Sequence, residues 1–407
     1  MEQILGKPLV GSNDWVDHQL LAALQANAAN ILVTEDRRIH RKADRIGLKH
    51  RVATVSDALA LVQGLRDKPI QSPPAVDFTY AHNLDVKDPF FDSLRGDYGG
   101  AGFDAWIAKC QEEHRRCWVV RGADDRLAAL CLIKGEDAAY GLQGKILKIC
   151  TFKVSPLHAG RRLGELLLKS AFSHAFGNKY EFVYLTAFPK QEALIGMLED
   201  FGFYEHQSRG DGELVFVKKL RPSGDEAQLT PLEFHVQYGP PLMRFAGMPA
   251  FVIPIEPRFH RLLFPDAELQ LELNPGTHSF GNGLRKAYLC NAQTRQIKPG
   301  SPLLFYLSHS RKAVTVLGVA EETFISNKAE EIAGMVGKRT VYSMSEIEEL
   351  CAKGETLAIL FRQARIIEPK PIQLHELIQN AVLKAAPQSI VTIPENAYPW
   401  LRHRLDL

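Results

Sequence analysis

Lys148-Ile-Cys-Thr-Phe-Lys-Val-Ser-Pro-Leu-His-Ala-Gly-Arg-Arg-Leu-Gly-Glu-Leu-Leu-Leu-Lys169 is the stretch on which the fold turns. An alternating, β-rich run from Ile146 to Val154 leads through Gly160 to Gly164 into an amphipathic helix. Strand, glycine-bearing turn and helix N-terminus follow one another without a break. At such a junction free backbone N–H groups and the positive end of the helix dipole meet, which suits a pyrophosphate. The stretch therefore points to a nucleotide-bearing cofactor, and no metal motif accompanies it.

Around this stretch the chain reads as three segments. With 407 residues it exceeds one ordinary core, so two or three domains are expected. Residues 1–66 alternate helix (Asp14 to Asn27), strand (Asn30 to Thr34), helix (Arg37 to Ile46), strand (Arg51 to Thr54) and helix (Ser56 to Leu65). That alternation implies a small parallel α/β layer. A proline-rich link, Lys68 to Pro74, lies within residues 67–77. Residues 78–221 begin with a polar helical stretch, then two strands about an Asp-Asp turn (Arg116 to Val120, Leu127 to Lys134). The opening stretch follows, then a strand (Phe182 to Thr186), a helix (Gln191 to Phe201) and a strand (Glu213 to Lys218). This α+β order predicts a mixed sheet with one central cleft. After a linker, 222–250, residues 251–407 carry strands near Ala287 to Cys290, Leu303 to Leu307, Thr315 to Glu321 and Leu357 to Ile367. Proline and glycine punctuation there predicts a small, mostly β barrel with a C-terminal tail and one helix, Ser345 to Ala352, capped by Ser343 or Ser345.

Composition narrows the classes. The net charge of +2 confines any nucleic-acid role to local patches. The cysteines (110, 117, 131, 150, 290, 351) form no Cys-x-x-Cys pair, which argues against a zinc ribbon and fits a reducing, cytoplasmic location. No membrane-length apolar run or signal-peptide pattern is seen.

The central pattern resembles the GNAT acetyltransferase superfamily, whose cofactor loop runs Val-x-Pro-x-x-Gln/Arg-x-x-Gly-x-Gly/Ala. Val154-Ser-Pro156, Ala159, Gly160, Arg162 and Gly164 stand in the corresponding places. Ala159 replaces the first amide or basic residue, and Arg162 replaces the middle glycine. Ala193-Leu-Ile-Gly-Met-Leu-Glu-Asp-Phe-Gly-Phe203 resembles the family's closing helix, with Leu198 where a tyrosine acid often stands. The resemblance implies acetyl-CoA held by Phe152, Lys153 and Val154 on the strand and by Ala159, Gly160, Arg161, Arg162, Leu163 and Gly164 at the turn. Arg161 or Arg162 could reach a phosphate as a charged donor. Direct attack of an amine on the thioester asks for orientation and removal of one proton. Candidate bases for that proton are Glu136, Asp137, Glu192 and His158, while Tyr204 or Tyr184, near in sequence, could substitute for the missing thiolate-protonating tyrosine.

The flanks carry their own resemblances. Val16 to Leu24 and Ile31 to Asp36 resemble the second half of a PIN domain, which implies carboxylates Asp17 and Asp36 at a divalent ion. The half bearing the leading Asp is missing, so a remnant, a split protein completed by a partner chain, and a mis-set start are all open; no metal is expected to be held by these two alone. Arg37 to Arg51 holds seven Lys/Arg against one Asp and reads as an RNA- or partner-contacting face or a solvated helix. Gly281 to Cys290, Ile297 to Tyr306 and Val314 to Glu321 resemble the ASCH branch of the PUA-like barrels, an RNA-associated group. Arg285, Lys286, Tyr306, Arg311 and Lys312 then read as a basic, aromatic groove for unpaired bases.

Three functions are expected from this. The first is an acetyl-CoA-dependent N-acetyltransferase whose acceptor is an amine, RNA-linked (an aminoacyl-tRNA) or on a translation protein. The second is an RNA-associated scaffold with a sensing or inactive acyl-CoA site. The third is a ribonuclease subunit completed in trans.

Overall fold

The computed structural model describes residues 1–26, 28–29, 31–64, 76–122, 124–224, 226–267, 283–367 and 369–407. The Lys68 to Pro74 link and residues 281–282 of the third-segment motif lie outside these.

The first segment comprises α1 (Glu2–Leu5), α2 (Asn13–Gln25), β1 (Leu32–Val33), α3 (Arg37–Arg45), β2 (Val52–Ala53) and α4 (Val55–Gly64). Ser12 caps α2 and Asp36 caps α3, each accepting a first-turn N–H. The expected parallel pair is present, Leu32 opposite Val52 and Val33 opposite Ala53, as a two-stranded sheet. Its core is small: Leu21, Leu24, Ile39, Ala43 and Val52. The segment leans on its neighbours, with the His50 ring stacked on Phe324 and Arg37 ion-paired to Glu199 at 3.1 Å.

The central segment has β3 (Val76–Tyr80), α5 (Asp92–Tyr98), α6 (Gly100–Glu112), β4 (Arg116–Arg121), β5 (Leu127–Ala139), β6 (Leu142–Val154), α7 (Leu163–Gly177), β7 (Phe182–Ala187), α8 (Glu192–Asp200), β8 (Tyr204–Ser208) and β9 (Leu214–Lys219). The sheet order is β3-β4-β5-β6-β7-β9-β8. Pairing is antiparallel throughout except β6 with β7, which is parallel. This is the expected mixed sheet, with β3 and β8 added. Both additions are edge strands with exposed or half-exposed residues, so neither has a continuous apolar run to announce it. One face of β4–β7 packs α7 and α8 through Leu147, Ile149, Leu167, Val183, Leu185 and Leu198. The other packs α5 and α6 through Phe91, Phe103, Ile107, Leu130 and Leu132.

The third segment contains α9 (Pro231–Tyr238), β10 (Phe251–Ile255), α10 (Pro257–Leu263), β11 (Arg285–Cys290), β12 (Pro302–Leu307), β13 (Ala313–Ser326), α11 (Ala329–Val336), α12 (Met344–Ala352), β14 (Thr356–Ile366), β15 (Ile372–Gln373), α13 (Leu374–Gln379), β16 (Val391–Thr392) and α14 (Tyr398–Leu405). Ser343, not Ser345, caps α12 in a reciprocal capping box with Glu346. The expected closed barrel is corrected. Among the described residues the strands form an open path, β11-β14-β13-β12-β10-β16, with β15 paired to β13. The apolar run of β13 and β14 reflects burial on both faces, between one cluster built on Phe305, Ile359 and Phe361 and another on Leu304, Tyr306 and Leu317. Continuous hydrophobicity signals two covered faces and says nothing about closure.

His235, on α9, lies at the join of the second and third segments. It is 2 % exposed and its Nδ1–H donates to the Leu242 carbonyl at 2.7 Å. Burial pushes its pKa down to about 3 from 6.5. Between those values the unfolded chain binds the proton and the folded chain does not, so stability rises with pH across this window and is lost as pH falls below about 6.5. The expected slope from this residue is up to about 1.4 kcal/mol per pH unit. Denaturant titrations at pH 7 and pH 5 should show a smaller pH dependence in a His235→Leu variant than in the wild type.

Candidate active site

β6 pairs with β5 along its length, from Ala139–Leu142 to Ala129–Val154. On its other side it pairs with β7 at Ile146–Phe182, Leu147–Val183 and Lys148–Tyr184 and no further. Past Lys148 the two strands part. The cause lies in the register: Leu132 faces Thr151 and Ile133 faces Ile149, which leaves Cys150 as an extra residue. Such a bulge bends its strand and sharpens the local twist. The result is a wedge in the middle of the sheet, one wall of which is the β7-facing edge of Ile149 to Val154. Main-chain N–H and C=O groups along that edge call for a partner. An extended, amide-bearing arm laid into the wedge supplies one by strand addition.

The turn before α7 sits at the open end of β6. Gly160 has φ +79° and Arg162, the N-cap, has φ +57°. No side chain caps α7. Ala159 and Gly160 are exposed and Arg161 is half-buried. The first-turn N–H groups and the helix dipole thus face outward beside the wedge, as a phosphate cradle requires. The expectation that Arg162 reaches a phosphate is corrected here. Its side chain is 2 % exposed and turned inward, paired with Glu165, so only its backbone faces the open side of the turn. Lys153 also turns away, its Nζ donating to the Phe90 carbonyl and, at 2.6 Å, to Ser93 Oγ. Leu163 is buried in the core beneath the turn.

At the apex of the wedge, on the α5/α6 side, Tyr184 donates to Glu136 Oε2 at 2.6 Å. Tyr184 is buried, with burial first and Glu136 second holding its hydroxyl protonated well above the ordinary range. The Lys148 ammonium lies 5.6 Å from the Tyr184 ring centroid. Arg115 Nη1 lies 3.5 Å from Cys150 Sγ. Burial pushes the Cys150 thiol up; Arg115 and Lys148 oppose this and Glu136 adds to it. A raised thiol pKa does not suit a nucleophile. Beyond the apex, Tyr98 at the end of α5 donates to Glu213 at 2.9 Å and packs on Phe188 at 5.9 Å, tying the helical face to the β8–β9 hairpin.

The other expected proton-handling residues fall elsewhere. Tyr204 is on the edge strand β8, with β7 and β9 between it and β6, three strand spacings or roughly 14 Å away. Glu192 is exposed on the first turn of α8. His158 turns toward Gly122, whose added Cβ would lie 3.2 Å from its Nε2. Leu198 is fully buried in the core. Proximity in sequence gives Tyr184 no partner; its pairing with Glu136 crosses 48 residues. Two signals were available, the central position of Tyr184 in a buried strand and the polar residue two positions from Lys134.

The groove expected for RNA is not assembled. Lys286 is 0 % and Tyr306 1 % exposed, and the Arg285 side chain pairs with Asp200 and Glu321. Arg311 and Lys312 stand just before β13, half-buried and exposed respectively. Arg285 and Lys286 are consecutive on β11 and so point to opposite faces, both covered: Arg285 meets Asp200 and Glu321, and the Lys286 ammonium lies over the Phe264 ring. In the first segment Asp17 is buried and ion-paired with Lys42 at 2.7 Å, while Asp36 caps α3 and pairs with Arg38 at 3.1 Å. Each carboxylate already has a cation. Among the described residues no group of three or more His, Cys, Asp or Glu is placed to hold a metal, and no helix is long and apolar enough to cross a membrane.

Residues 82–203 match the acetyltransferase (GNAT) family model. No curated protein matches the chain. Similar solved structures include ASCH from Zymomonas mobilis, at 15 % identity over 38 % of this chain and 94 % of that one, with a TM-score of 0.29. Arabidopsis thaliana NAA60 in complex with a bisubstrate analogue aligns at 13 % identity over 36 % of this chain and 98 % of that one, with a TM-score of 0.29.

Proposed function

We propose that the central segment is an acetyl-CoA-dependent N-acetyltransferase and that the acceptor is an amine. The observation that supports it most is the wedge between β6 and β7, opened by the Cys150 bulge, with the Glu136–Tyr184 pair at its apex and the uncapped α7 N-terminus at its mouth. The family match over residues 82–203 is consistent with it. Bound acetyl-CoA would supply a reactive acetyl thioester. The residues that would hold it are the Ile149 to Val154 edge for the pantetheine amides and the N–H groups of Gly160 and of Arg162 to Gly164 for the pyrophosphate, since those of Ala159 and Arg161 already donate to the Pro156 and His158 carbonyls.

The chain's own part is then orientation and proton handling. The bulged strand fixes where the acyl carbon stands relative to the α5/α6 face. In transfer the new amide C–N bond would replace the thioester C–S bond, with CoA leaving as a thiolate that takes its proton from water; Glu136 accepts the proton that the amine loses, and Tyr184 fixes its carboxylate and stays protonated through the working pH range. With Leu198 where the resemblance expects a tyrosine, α8 brings no hydroxyl, so this pair stands as the proton site in place of Tyr204 and Glu192. Burial of Lys286 and Tyr306 removes the groove that pointed to an RNA-linked acceptor, so the acceptor is proposed only as an amine. A cytoplasmic setting and the domain limits given above remain part of this proposal, with the start of β3 and all of α9 falling in the two stretches read as linkers.

Leu198 favours one second reading, an acyl-CoA sensor that binds without turnover. Two measurements separate them. Saturating acetyl-CoA, at about 100 times Kd, is expected to stabilise the protein by about 2.7 kcal/mol. Labelled acetyl is then expected to appear in an amine fraction of cell extract. Stabilisation without transfer supports the sensor; neither effect defeats both readings.

A further inference from the structure

The third segment reaches into the acyl-CoA loop. Arg162 holds a left-handed backbone where the resemblance expects glycine, a conformation that L residues seldom adopt. Its guanidinium is buried and engaged twice by Glu165, Nε to Oε1 at 3.0 Å and Nη2 to Oε2. Glu165 stands in the first turn of α7, where the helix dipole favours a carboxylate. Burial works to raise its pKa, but the Arg162 charge and bond, followed by Arg285, outweigh this and hold it lowered. The same oxygen, Oε2, accepts the backbone N–H of Leu284 at 3.0 Å and of Arg285 at 3.3 Å. Gly283 lies flat against the guanidinium: a Cβ there would stand 2.4 Å from Arg162 Cζ. Leu284 is buried in the core under α7 and α8.

The grip extends to α8. Arg285 pairs with Asp200, the last residue of α8, at 2.8 Å, and Arg362 Nη1 donates to the Asp200 carbonyl at 2.6 Å. Both arginines are anchored on Glu321, which Arg339 also meets at 3.1 Å. Cations at a helix C-terminus and a carboxylate at a helix N-terminus are both favourable placements. The third segment therefore holds one end of each helix that packs under the wedge. A glycine in place of Arg162 would have supplied the turn but no handle for this contact.

We propose that Arg162 and Glu165 are positioning residues that make the shape of the acyl-CoA loop depend on the docking of Gly283 to Arg285. Acyl-CoA affinity in the second segment is thereby set in part by the third. This deepens the acetyltransferase reading and rests on it for the ligand, though the coupling itself is a property of the loop.

The test uses the full chain and two readouts. Hydrogen exchange of the amides of residues 159–166 reads the loop with no ligand present; acetyl-CoA affinity and steady-state kinetics read its use. Gly283→Val, or Gly283→Ala should the first not fold, is expected to speed loop exchange and to raise the acetyl-CoA Kd and KM about tenfold with kcat unchanged, a coupling of ordinary size between sites. Glu165→Ala is expected to do the same. Glu165→Gln, which keeps an oxygen for the Leu284 and Arg285 N–H groups, is expected to restore part of the loss. A lowered Tm with loop exchange and acetyl-CoA affinity both at the wild-type level would overturn the proposal. Should the wild type not bind acetyl-CoA, the functional reading above falls, and faster loop exchange in the Gly283 variant would still establish the coupling.

Discussion

Glu136→Gln is expected to lower kcat for acetyl transfer by about 100-fold or more, with KM for acetyl-CoA little changed, because a positioned base contributes roughly 10²–10⁴ to such steps. The substitution preserves size and still accepts the Tyr184 hydrogen bond, so the β5–β7 contact survives. What is lost is the ability to take a proton. Tyr184→Phe should fall between the two, at about tenfold, since it removes one bond to a charged acceptor and leaves the carboxylate. The apolar ring fits a site already lined by Ile146, Val215 and Val217, so stability should hold. Unchanged kcat in Glu136→Gln, with transfer otherwise demonstrated, would move the base elsewhere. Tyr204→Phe and Glu192→Gln serve as comparisons. Both residues lie off the apex, and wild-type turnover is expected for each.

Gly160→Val is expected to weaken acetyl-CoA binding at least tenfold while leaving the fold intact. Gly160 has φ +79°, and a β-branched residue there is strained by about 1–2 kcal/mol. The loop is exposed, so the chain can relieve the strain by rotating the peptide units that form the cradle. The amides then no longer converge and the pyrophosphate site is lost. Gly160→Asn supplies the control, since Asn visits the left-handed region several-fold more readily than other non-glycine residues. Its affinity should lie close to the wild type. Isothermal titration with acetyl-CoA on the three proteins decides it: equal losses in Val and Asn would mean that the side chain's bulk, and not the turn's geometry, is responsible.

Much of this was legible along the chain. Ile146 to Val154 alternates with the period of a strand, and Leu163 to Lys169 with that of a helix. The residues between them include the turn-forming glycine, so the strand–turn–helix unit and the mixed sheet followed from local pattern. The capping of α3 by Asp36 and of α12 by Ser343 is equally local, written within four residues. Other decisions needed the whole fold. Cys150 becomes a bulge because β5 and β6 pair in one register on either side of it, and no residue in β6 alone records that. Glu136 and Tyr184 meet because both strands turn the same face toward α5 and α6. Arg162 reads in sequence as a basic residue at a phosphate loop, yet the approach of Gly283 and Glu165 turns its guanidinium inward. Lys286 and Tyr306 read as a binding surface and are core. Period, caps and turns are set by neighbours in the chain, and the sequence by itself determined those. Register, the sense in which a side chain points and the partner it finds depend on packing between elements far apart in sequence, and only the tertiary structure decided them.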